Sequence, residues 1–253
     1  MDFTFHAYRT YLEAIKARYD LILRFDEFLA IEKKPDSFAL IRHDVDRRPV
    51  KALDMARLEN EMGIRSTYYF RDKPRVFDPS ILRAVRRLGH EIGYHYETLS
   101  DANGNRSTAL EQFEYHLKRL RKHCRIDTIS MHGRPLSPYN NLDLWRSLKK
   151  RSQLKKVYGI SGEIYLDIDY REIAYLSDTG RNWDQTRSNK RDKVRSDIPV
   201  ELKNGRELLG ALRRKRWEKI VFQIHPERWA ESRAEHFFQF AKDTGVNLIK
   251  KLL

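Results

Sequence analysis

The sequence contains one cysteine and no long hydrophobic run. Cys124 has no second cysteine with which to form an intrachain disulfide or a thiolate metal cage, and this favours a reducing compartment. The longest apolar stretches are a few residues, far short of the roughly 20 that a membrane-spanning helix requires. These absences exclude a disulfide-rich scaffold and predict a cytoplasmic protein that does not cross a membrane.

Glycine and proline are also sparse, with 11 Gly and 8 Pro in 253 residues. This excludes collagen-like and linker-rich chains. With 40% hydrophobic residues, the chain can bury one sizeable core, and we expect a single domain over residues 1–253 with residues 1–35 as a helical extension packed on it. Charges occur throughout the first 20 residues, so no signal or transit peptide is predicted.

Positive charge is in excess, since 50 Lys and Arg face 36 Asp and Glu for a net charge of +14. Such an excess favours an anionic partner. Residues 181–216 contain 12 basic and 5 acidic residues, which raises nucleic-acid binding as an alternative function. No recognised binding module accompanies this segment, so nucleic acid is not the expected partner. We expect a lid, or a site for substrate phosphate or for an anionic membrane surface.

Strand-like and helix-like segments alternate at intervals of about 25–30 residues, which is typical of parallel βαβ units. The predicted strands are 38–46, 66–70, 91–96, 127–132, 156–160, 172–176, 219–224 and 246–250. The predicted helices are a pair over 9–31, then 50–62, 80–88, 109–123, 141–152, 205–215 and 233–243. We therefore expect an α/β fold, either a closed or nearly closed barrel of about seven parallel strands or an open doubly wound sheet.

Polar residues that can do chemistry lie at the carboxyl ends of these strands. Asp44 and Asp46 end the first long strand, and His95, His132 and His225 each end a later one. In both candidate architectures, active sites collect at this edge of the sheet. The five side chains are therefore expected to lie near one another.

Asp44 and Asp46 lie on the same side of their strand, because side chains alternate with a period of two and the pair is about 6.5–7 Å apart along it. One carboxylate can hold a metal while the other takes a proton from water, which is the arrangement needed for hydrolysis at neutral pH. The alternative is a solvated strand end, or a cap for the helix that begins at Pro49.

His95 is the better metal-ligand candidate of the segment GHEIGYHYE, because His90 lies five residues earlier and faces the other side of the strand. We expect His90 to cap a helix or to pack in the core. Glu97 shares the side of His95 and could bind a metal or orient a ligand. In SMHGRP, Pro135 should restrict Arg134 to an extended backbone that holds its guanidinium beside a carboxylate.

Five segments, in order, resemble the five motifs of the polysaccharide deacetylases, the NodB-homology domain of carbohydrate esterase family 4. They are RHDVD (42–46), GHEIGYHYE (89–97), GRP (133–135), SDTGRNW (177–183) and FQIHPERW (222–229). The resemblance implies a distorted (β/α) barrel that binds one divalent metal and removes an acetyl group from an N-acetylated sugar. Zinc is the expected metal, with cobalt, nickel, manganese and iron as alternatives.

The resemblance also implies roles for the acidic residues and histidines. Asp44 corresponds to the catalytic base and Asp46 to the metal-binding aspartate, although Val45 separates a pair that is usually adjacent, so the two roles could be exchanged. His95 matches the first histidine ligand. Leu99 stands where the second belongs, so a further ligand must come from elsewhere: His132 is the substitute, with Glu97 as the alternative.

Three further positions match the remaining motifs. Arg134 matches the arginine that orients the base, and His225 matches the general acid. Asp178 resembles the aspartate that tunes that histidine. We expect Trp183 and Trp229 to contact the substrate.

The HDVD motif is closer to a divergent branch found in bacterial surface polysaccharide and O-antigen biosynthesis than to secreted deacetylases. This implies an N-acetylated sugar linked to a nucleotide or a lipid, and an enzyme in the cytoplasm or peripheral at the inner membrane face. The absence of the second family histidine leaves an inactive protein of the same fold as another alternative.

Overall fold

The computed structural model describes residues 2–134, 136–183, 194–231 and 235. Its strands are β1 (Ile22–Leu23), β2 (Phe38–Val45), β3 (Thr67–Phe70), β4 (Glu91–Tyr96), β5 (Thr128–Met131), β6 (Gly162–Glu163), β7 (Ala174–Ser177) and β8 (Lys219–Ile224). Its α-helices are α1 (Phe5–Lys16), α2 (Phe25–Ala30), α3 (Pro49–Glu61), α4 (Pro79–Arg87), α5 (Thr98–Asp101), α6 (Arg106–Arg121), α7 (Leu148–Tyr158) and α8 (Gly205–Arg213). The strand predicted over 246–250 and nearly all of the helix predicted over 233–243 lie outside the described residues.

All described strand pairs are parallel, in the order β6-β5-β4-β3-β2-β8-β7. The short strand β1 pairs with the start of β2, where Ile22 faces Ala39. Strand β3 pairs with the rest of β2 from Arg42 onward. The α/β fold with a distorted barrel of seven parallel strands is therefore confirmed, with β1 as a small addition.

The sheet curls into a barrel, as side chains on distant strands show. Arg42 on β2 donates hydrogen bonds to the Ser130 hydroxyl on β5 and to the Tyr165 hydroxyl after β6, both at 3.0 Å. The Tyr165 and Tyr175 hydroxyls are 3.4 Å apart, which joins the β6 end to β7. No backbone pairing between β6 and β7 occurs in the described part of the chain, so the barrel stays open there.

Every residue of β2 is buried, because the barrel core covers one of its faces and helices cover the other. Leu40 packs in the interior apolar cluster, and Arg42 and Asp44 continue the same face. His43 and Val45 point outward toward the helices. The interior cluster consists of Phe25, Phe28, Phe38, Leu40, Tyr69, Ile164, Ile168, Tyr170, Ile173, Tyr175 and Val221.

Three local predictions differ from the structure, one of them the helix over 141–152: a 3-10 turn covers Asn141–Leu144, and α7 begins only at Leu148. The extended segment predicted over 156–160 is wrong, because α7 continues to Tyr158, burying Leu154 and Tyr158 on one helical face. The helix then ends at Gly159, whose φ of +62° favours glycine. The pair of helices predicted over 9–31 is present, but β1 lies between them. No helix in the described ranges is long and apolar enough to cross a bilayer.

Candidate active site

The strand ends bring the predicted polar residues together at one mouth of the barrel. Asp46 Oδ1 lies 3.4 Å from His95 Nε2 and 3.5 Å from His132 Nε2. Asp44 Oδ2 is 3.8 Å from the same His95 nitrogen. Residues from β2, β4 and β5 thus converge on Asp46, as expected from the shared edge of parallel strands.

Both imidazole rings are fixed by their other nitrogen. His95 Nδ1 donates to the Ser130 carbonyl oxygen at 3.0 Å, and His132 Nδ1 donates to Glu97 Oε2 at 3.0 Å. These bonds turn both Nε2 atoms toward Asp46. Histidines that bind metals are commonly held through the second nitrogen in this way.

Asp46 Oδ1 is buried and accepts no hydrogen bond from any described residue. Donor atoms in a tetrahedral zinc site lie about 3.3 Å apart, because the bonds are about 2.0–2.1 Å long. The separations of Asp46 Oδ1 from the Nε2 atoms of His95 and His132 are close to this distance. Among the described residues, no group of three or more His, Cys, Asp or Glu side chains is already arranged to hold a metal ion, so a metal here is part of the proposal below.

The electrostatics of this trio favour an ion pair when no cation is bound. Burial raises the pKa of Asp46, but the nearby charges of His132 and His95 outweigh burial and hold it well below its usual range. Burial lowers the pKa of His132, whereas Asp46 and Glu97 raise it to about 10. A metal at His132 would therefore displace a proton.

Glu97 orients His132 and is itself held by cations. Arg71 donates to Glu97 Oε1 at 2.6 and 2.9 Å, and Lys73 lies 3.5 Å away. Burial raises the pKa of Glu97, but His132 and Arg71 together hold it well below its usual range. Because its oxygens have these partners, the geometry favours His132 over Glu97 as the residue facing Asp46.

Asp44 is held by two residues that the sequence analysis did not single out. Arg42 Nη2 and Nε lie 2.5 and 3.2 Å from the carboxylate, and Gln223 Nε2 donates to it at 2.7 Å. Burial raises the pKa of Asp44, but Arg42 and His95 lower it to about 2. Asp44 is therefore ionised throughout the neutral range.

Arg134 does not pair with Asp44, so that prediction is wrong. Its guanidinium contacts Asp101 and lies 3.7 Å from Glu97 Oε2, on a side chain that is 41% exposed. Its φ of +34° also differs from the extended backbone predicted. Arg42 occupies the position beside Asp44 from inside the barrel, whereas Arg134 lies on the loop after β5; Pro135 is outside the described residues.

His225 and Asp178 form the pair that the sequence predicts. Asp178 Oδ1 lies 2.6 Å from His225 Nδ1, and its Oδ2 accepts the His225 backbone N–H at 2.9 Å. Burial and Arg228 lower the pKa of His225, but Asp178 outweighs them and raises it. Burial raises the pKa of Asp178, whereas His225 and Arg228 hold it low.

Trp183 and Trp229 fill the core, so the prediction that they contact the substrate is wrong. Their exposed fractions are 1% and 0%. Phe3 stacks on Trp183 at 5.3 Å between ring centres, and Tyr8 lies 5.2 Å from Trp229. Trp229 still supports the site, because its Nε1 donates to Asp178 Oδ2 at 2.8 Å.

Sequence reasoning missed three residues of this site, of which only Arg42 carried a signal in the sequence. Arg42 lies two residues before Asp44 and therefore on the same strand face. Gln223 pairs in register with Arg42. Glu227, on the turn after β8, is buried with neither carboxylate oxygen hydrogen bonded to a described residue.

His43 and His90 lie behind the sheet, and for His90 this agrees with the packing role that the sequence predicts. His43 Nε2 is 2.7 Å from Glu59, and His90 accepts the Ser66 N–H at 3.1 Å. Both are fully buried, which makes their role structural. The expectation of a lid over 181–216 is untested, since residues 184–193 lie outside the described part.

No protein-family model matches the chain, and no curated protein matches it. Among solved structures, it is similar to a CE4 esterase of Streptococcus mutans, with a TM-score of 0.46 and 12% identity, over 90% of this chain and 86% of that one. A CE4 family pseudoenzyme of Bacillus anthracis gives a TM-score of 0.45 and 9% identity over 82% of this chain. The match spans 60% of that protein's length.

A third similar structure is a peptidoglycan deacetylase of Bacillus subtilis, with a TM-score of 0.39 and 11% identity. The match covers 85% of this chain and 96% of that one. Two of these structures are thus described as CE4 proteins, one an esterase and one a pseudoenzyme, and the third as a peptidoglycan deacetylase. All three TM-scores are below 0.5, so the family stays a prediction from the sequence motifs.

Proposed function

We propose that this protein is a metal-dependent hydrolase that removes an acetyl group from the nitrogen of an amino sugar. The observation that carries the proposal is the buried Oδ1 of Asp46, which accepts no hydrogen bond from a described residue and is faced at 3.4 and 3.5 Å by the Nε2 atoms of His95 and His132. Two imidazoles and a carboxylate are a donor set that suits zinc and leaves a coordination position open. Cobalt, nickel, manganese and iron are alternatives with the same donors.

A divalent metal held there would polarise the acetyl carbonyl and acidify the attacking water. Asp44, ionised at neutral pH, takes the proton from that water. Three hydrogen bonds already reach its carboxylate, two on Oδ2 and one on Oδ1, which leaves an acceptor position on Oδ1. Arg42 and Gln223 hold the carboxylate in place while it does so.

His225 supplies the proton that the leaving nitrogen needs. Its Nδ1 is occupied by Asp178, so Nε2 carries the proton that can be transferred. The C–N bond breaks as the nitrogen takes this proton. The overall reaction consumes one water and gives acetate and an ammonium group at neutral pH.

For the substrate, we propose an N-acetylated sugar linked to a nucleotide or a lipid, as a precursor of a bacterial surface polysaccharide such as O-antigen. Support comes from the HDVD motif and from the net charge of +14, which suits a phosphate-bearing substrate. The expected location is the cytoplasm or the inner membrane face.

Release of acetate tests the proposal. Zinc-loaded and chelator-treated protein would be assayed with N-acetylglucosamine, its UDP-linked form and chitotriose. We expect turnover by zinc-loaded wild type, and its loss in the chelator-treated protein and in Asp46→Asn and His225→Ala. His6→Ala changes an exposed histidine and should behave as wild type. Stoichiometric metal with no acetate released from any substrate would instead indicate an inactive protein of this fold.

A further inference from the structure

Glu227 is a buried carboxylate with no assigned role in the site. It lies in the turn Pro226–Arg228 directly after His225, and its side chain is 4% exposed. Neither of its oxygens accepts a hydrogen bond from any described residue. Arg47 Nε lies 3.7 Å from Oε1, which is an ion pair beyond hydrogen-bonding distance.

This arrangement is costly unless something else supplies donors. A buried carboxylate without hydrogen bonds loses the solvation that water gave it, so such groups in native proteins usually mark a bound water, ion or ligand. Arg47 does not meet this need, because its own side chain is 56% exposed and lies at the rim. The two oxygens of Glu227 are therefore available to a ligand that brings N–H or O–H groups.

The surroundings of Glu227 specify the charge of that ligand. Glu227 lies in the turn that follows β8, two residues after His225, and burial and the negative charge of Asp46 raise its pKa to about 7. A buried carboxylate at this place disfavours an anionic group beside it. A donor that becomes positively charged fits best.

We propose that Glu227 binds the reacting nitrogen of the substrate, accepting a hydrogen bond from the amide N–H and then holding the ammonium group of the product. This inference rests on the proposed deacetylation. Glu227 follows His225 by two residues, and His225 gives its proton to that same nitrogen. The ammonium is the cation that the reaction itself creates.

The contact between the Glu227 carboxylate and the substrate nitrogen should be stronger late in the reaction than early. In the substrate, the nitrogen is a neutral amide. As the C–N bond breaks, the nitrogen takes a proton from His225 and leaves as an amine, which gains a second proton from solvent. A carboxylate stabilises the protonated nitrogen more than the amide, so Glu227 should assist the bond-breaking step as well as bind the product.

The test compares Glu227→Gln, which keeps the shape and removes the charge, with Glu227→Asp and with the exposed control Glu114→Gln. Glucosamine, a cation, and neutral N-acetylglucosamine would each be titrated into zinc-loaded protein. For Glu227→Gln we expect glucosamine to bind about 10- to 100-fold more weakly, the range for a charge-assisted hydrogen bond. N-acetylglucosamine should bind within about threefold of wild type, and Glu227→Asp should recover part of the loss.

Two further readouts separate this role from others. The kcat for the N-acetyl sugar should fall in Glu227→Gln, whereas hydrolysis of 4-methylumbelliferyl acetate should stay within about twofold, since a phenolate leaves without a proton. Zinc content should match wild type, and the melting temperature should not fall, because the substitution removes a buried charge. A fall in zinc affinity would make Glu227 a metal ligand and overturn the inference, as would equal loss on ester and amide or unchanged glucosamine binding.

The same measurements distinguish a failure of the proposed deacetylation from a failure of the inference about Glu227. If the wild type released no acetate from any sugar but still bound glucosamine through Glu227, the deacetylation would be wrong and the cation site would stand. If the wild type deacetylated a sugar and Glu227→Gln bound glucosamine equally well, the inference would be wrong and the function would stand. A wild type that binds no glucosamine contradicts the inference directly.

Discussion

Asp178 holds His225 at two points, accepting the backbone N–H on one oxygen at 2.9 Å and lying 2.6 Å from ring Nδ1 with the other. The ring is thereby fixed with Nε2 as its exchangeable position. Burial and Arg228 disfavour the protonated ring, but Asp178 outweighs them, so His225 stays an acid above its ordinary pKa of about 6.5.

Replacing Asp178 by Asn should therefore move the alkaline limit of activity to lower pH. At pH 8, we expect kcat to fall about 10²- to 10⁴-fold, the range for loss of a positioned acid, and to recover partly as the pH falls. The profile of kcat/KM against pH measures this, with the exposed Asp143→Asn as control. An unchanged alkaline limit in Asp178→Asn would show that His225 does not depend on this pair.

The same pair gives a stability window. The raised pKa of His225 adds stability that is complete below about 6.5 and is lost as pH rises through the folded value. The lowered pKa of Asp178 adds stability above about 3.9 that is lost as pH falls through its folded value. Asp178→Asn should therefore lower the free energy of unfolding most between about pH 3.9 and about pH 6.5.

Replacing Arg42 by Gln should lower the free energy of unfolding far more than replacing Arg134 by Gln. Arg42→Gln leaves Asp44 buried without its cation, which costs about 3–5 kcal/mol of unfolding free energy. Arg134 is 41% exposed, so Arg134→Gln should cost under about 1 kcal/mol. Urea unfolding at pH 7 measures both.

The pH dependence of this difference has a defined sign. The pKa of Asp44 is lowered to about 2, so its stabilisation is present above about 4 and fades as pH falls toward 2. The gap between wild type and Arg42→Gln should narrow in acid. Equal costs for both arginines at pH 7 would contradict the assignment of Arg42 as the partner of Asp44.

The edge where the site lies was predictable from the sequence, because parallel strands place their carboxyl ends together. His95, His132 and Asp46 could therefore be expected near one another. The pairing of Asp178 with His225 followed from the resemblance to a known family.

The partner of Asp44 was predicted wrongly, because the family motif pointed to Arg134 and not to Arg42, which shares the strand face of Asp44. Only the three-dimensional course of the loop after β5 shows that Arg134 contacts Asp101 instead. The burial of Trp183 was equally hidden, because Phe3, which stacks on it, is 180 residues away in sequence. Contacts this distant are not encoded in local periodicity.

Glu97→Gln should weaken zinc binding about 10- to 100-fold, because the residue orients His132 through Nδ1. The stoichiometry should stay at one metal, since Glu97 is not itself a ligand in this account. Competition with a chromophoric chelator measures the affinity, and the exposed Glu111→Gln serves as control. Complete loss of the site in Glu97→Gln would instead favour direct ligation.

Trp183 should behave as a core residue. Trp183→Ala should cost about 3–5 kcal/mol of unfolding free energy, whereas Trp183→Phe should cost less and leave KM for the substrate unchanged. Thermal unfolding and steady-state kinetics separate the two effects. A rise in KM at unchanged melting temperature would place the indole ring against the substrate after all.

The most direct measurement for the whole account is a zinc titration of metal-free protein by calorimetry. Wild type and His6→Ala should each bind one equivalent, while His95→Ala, His132→Ala and Asp46→Asn should bind at least about 100-fold more weakly. Zinc affinity in His132→Ala equal to that of wild type, or no binding by wild type, would contradict the metal site on which the proposed hydrolase depends.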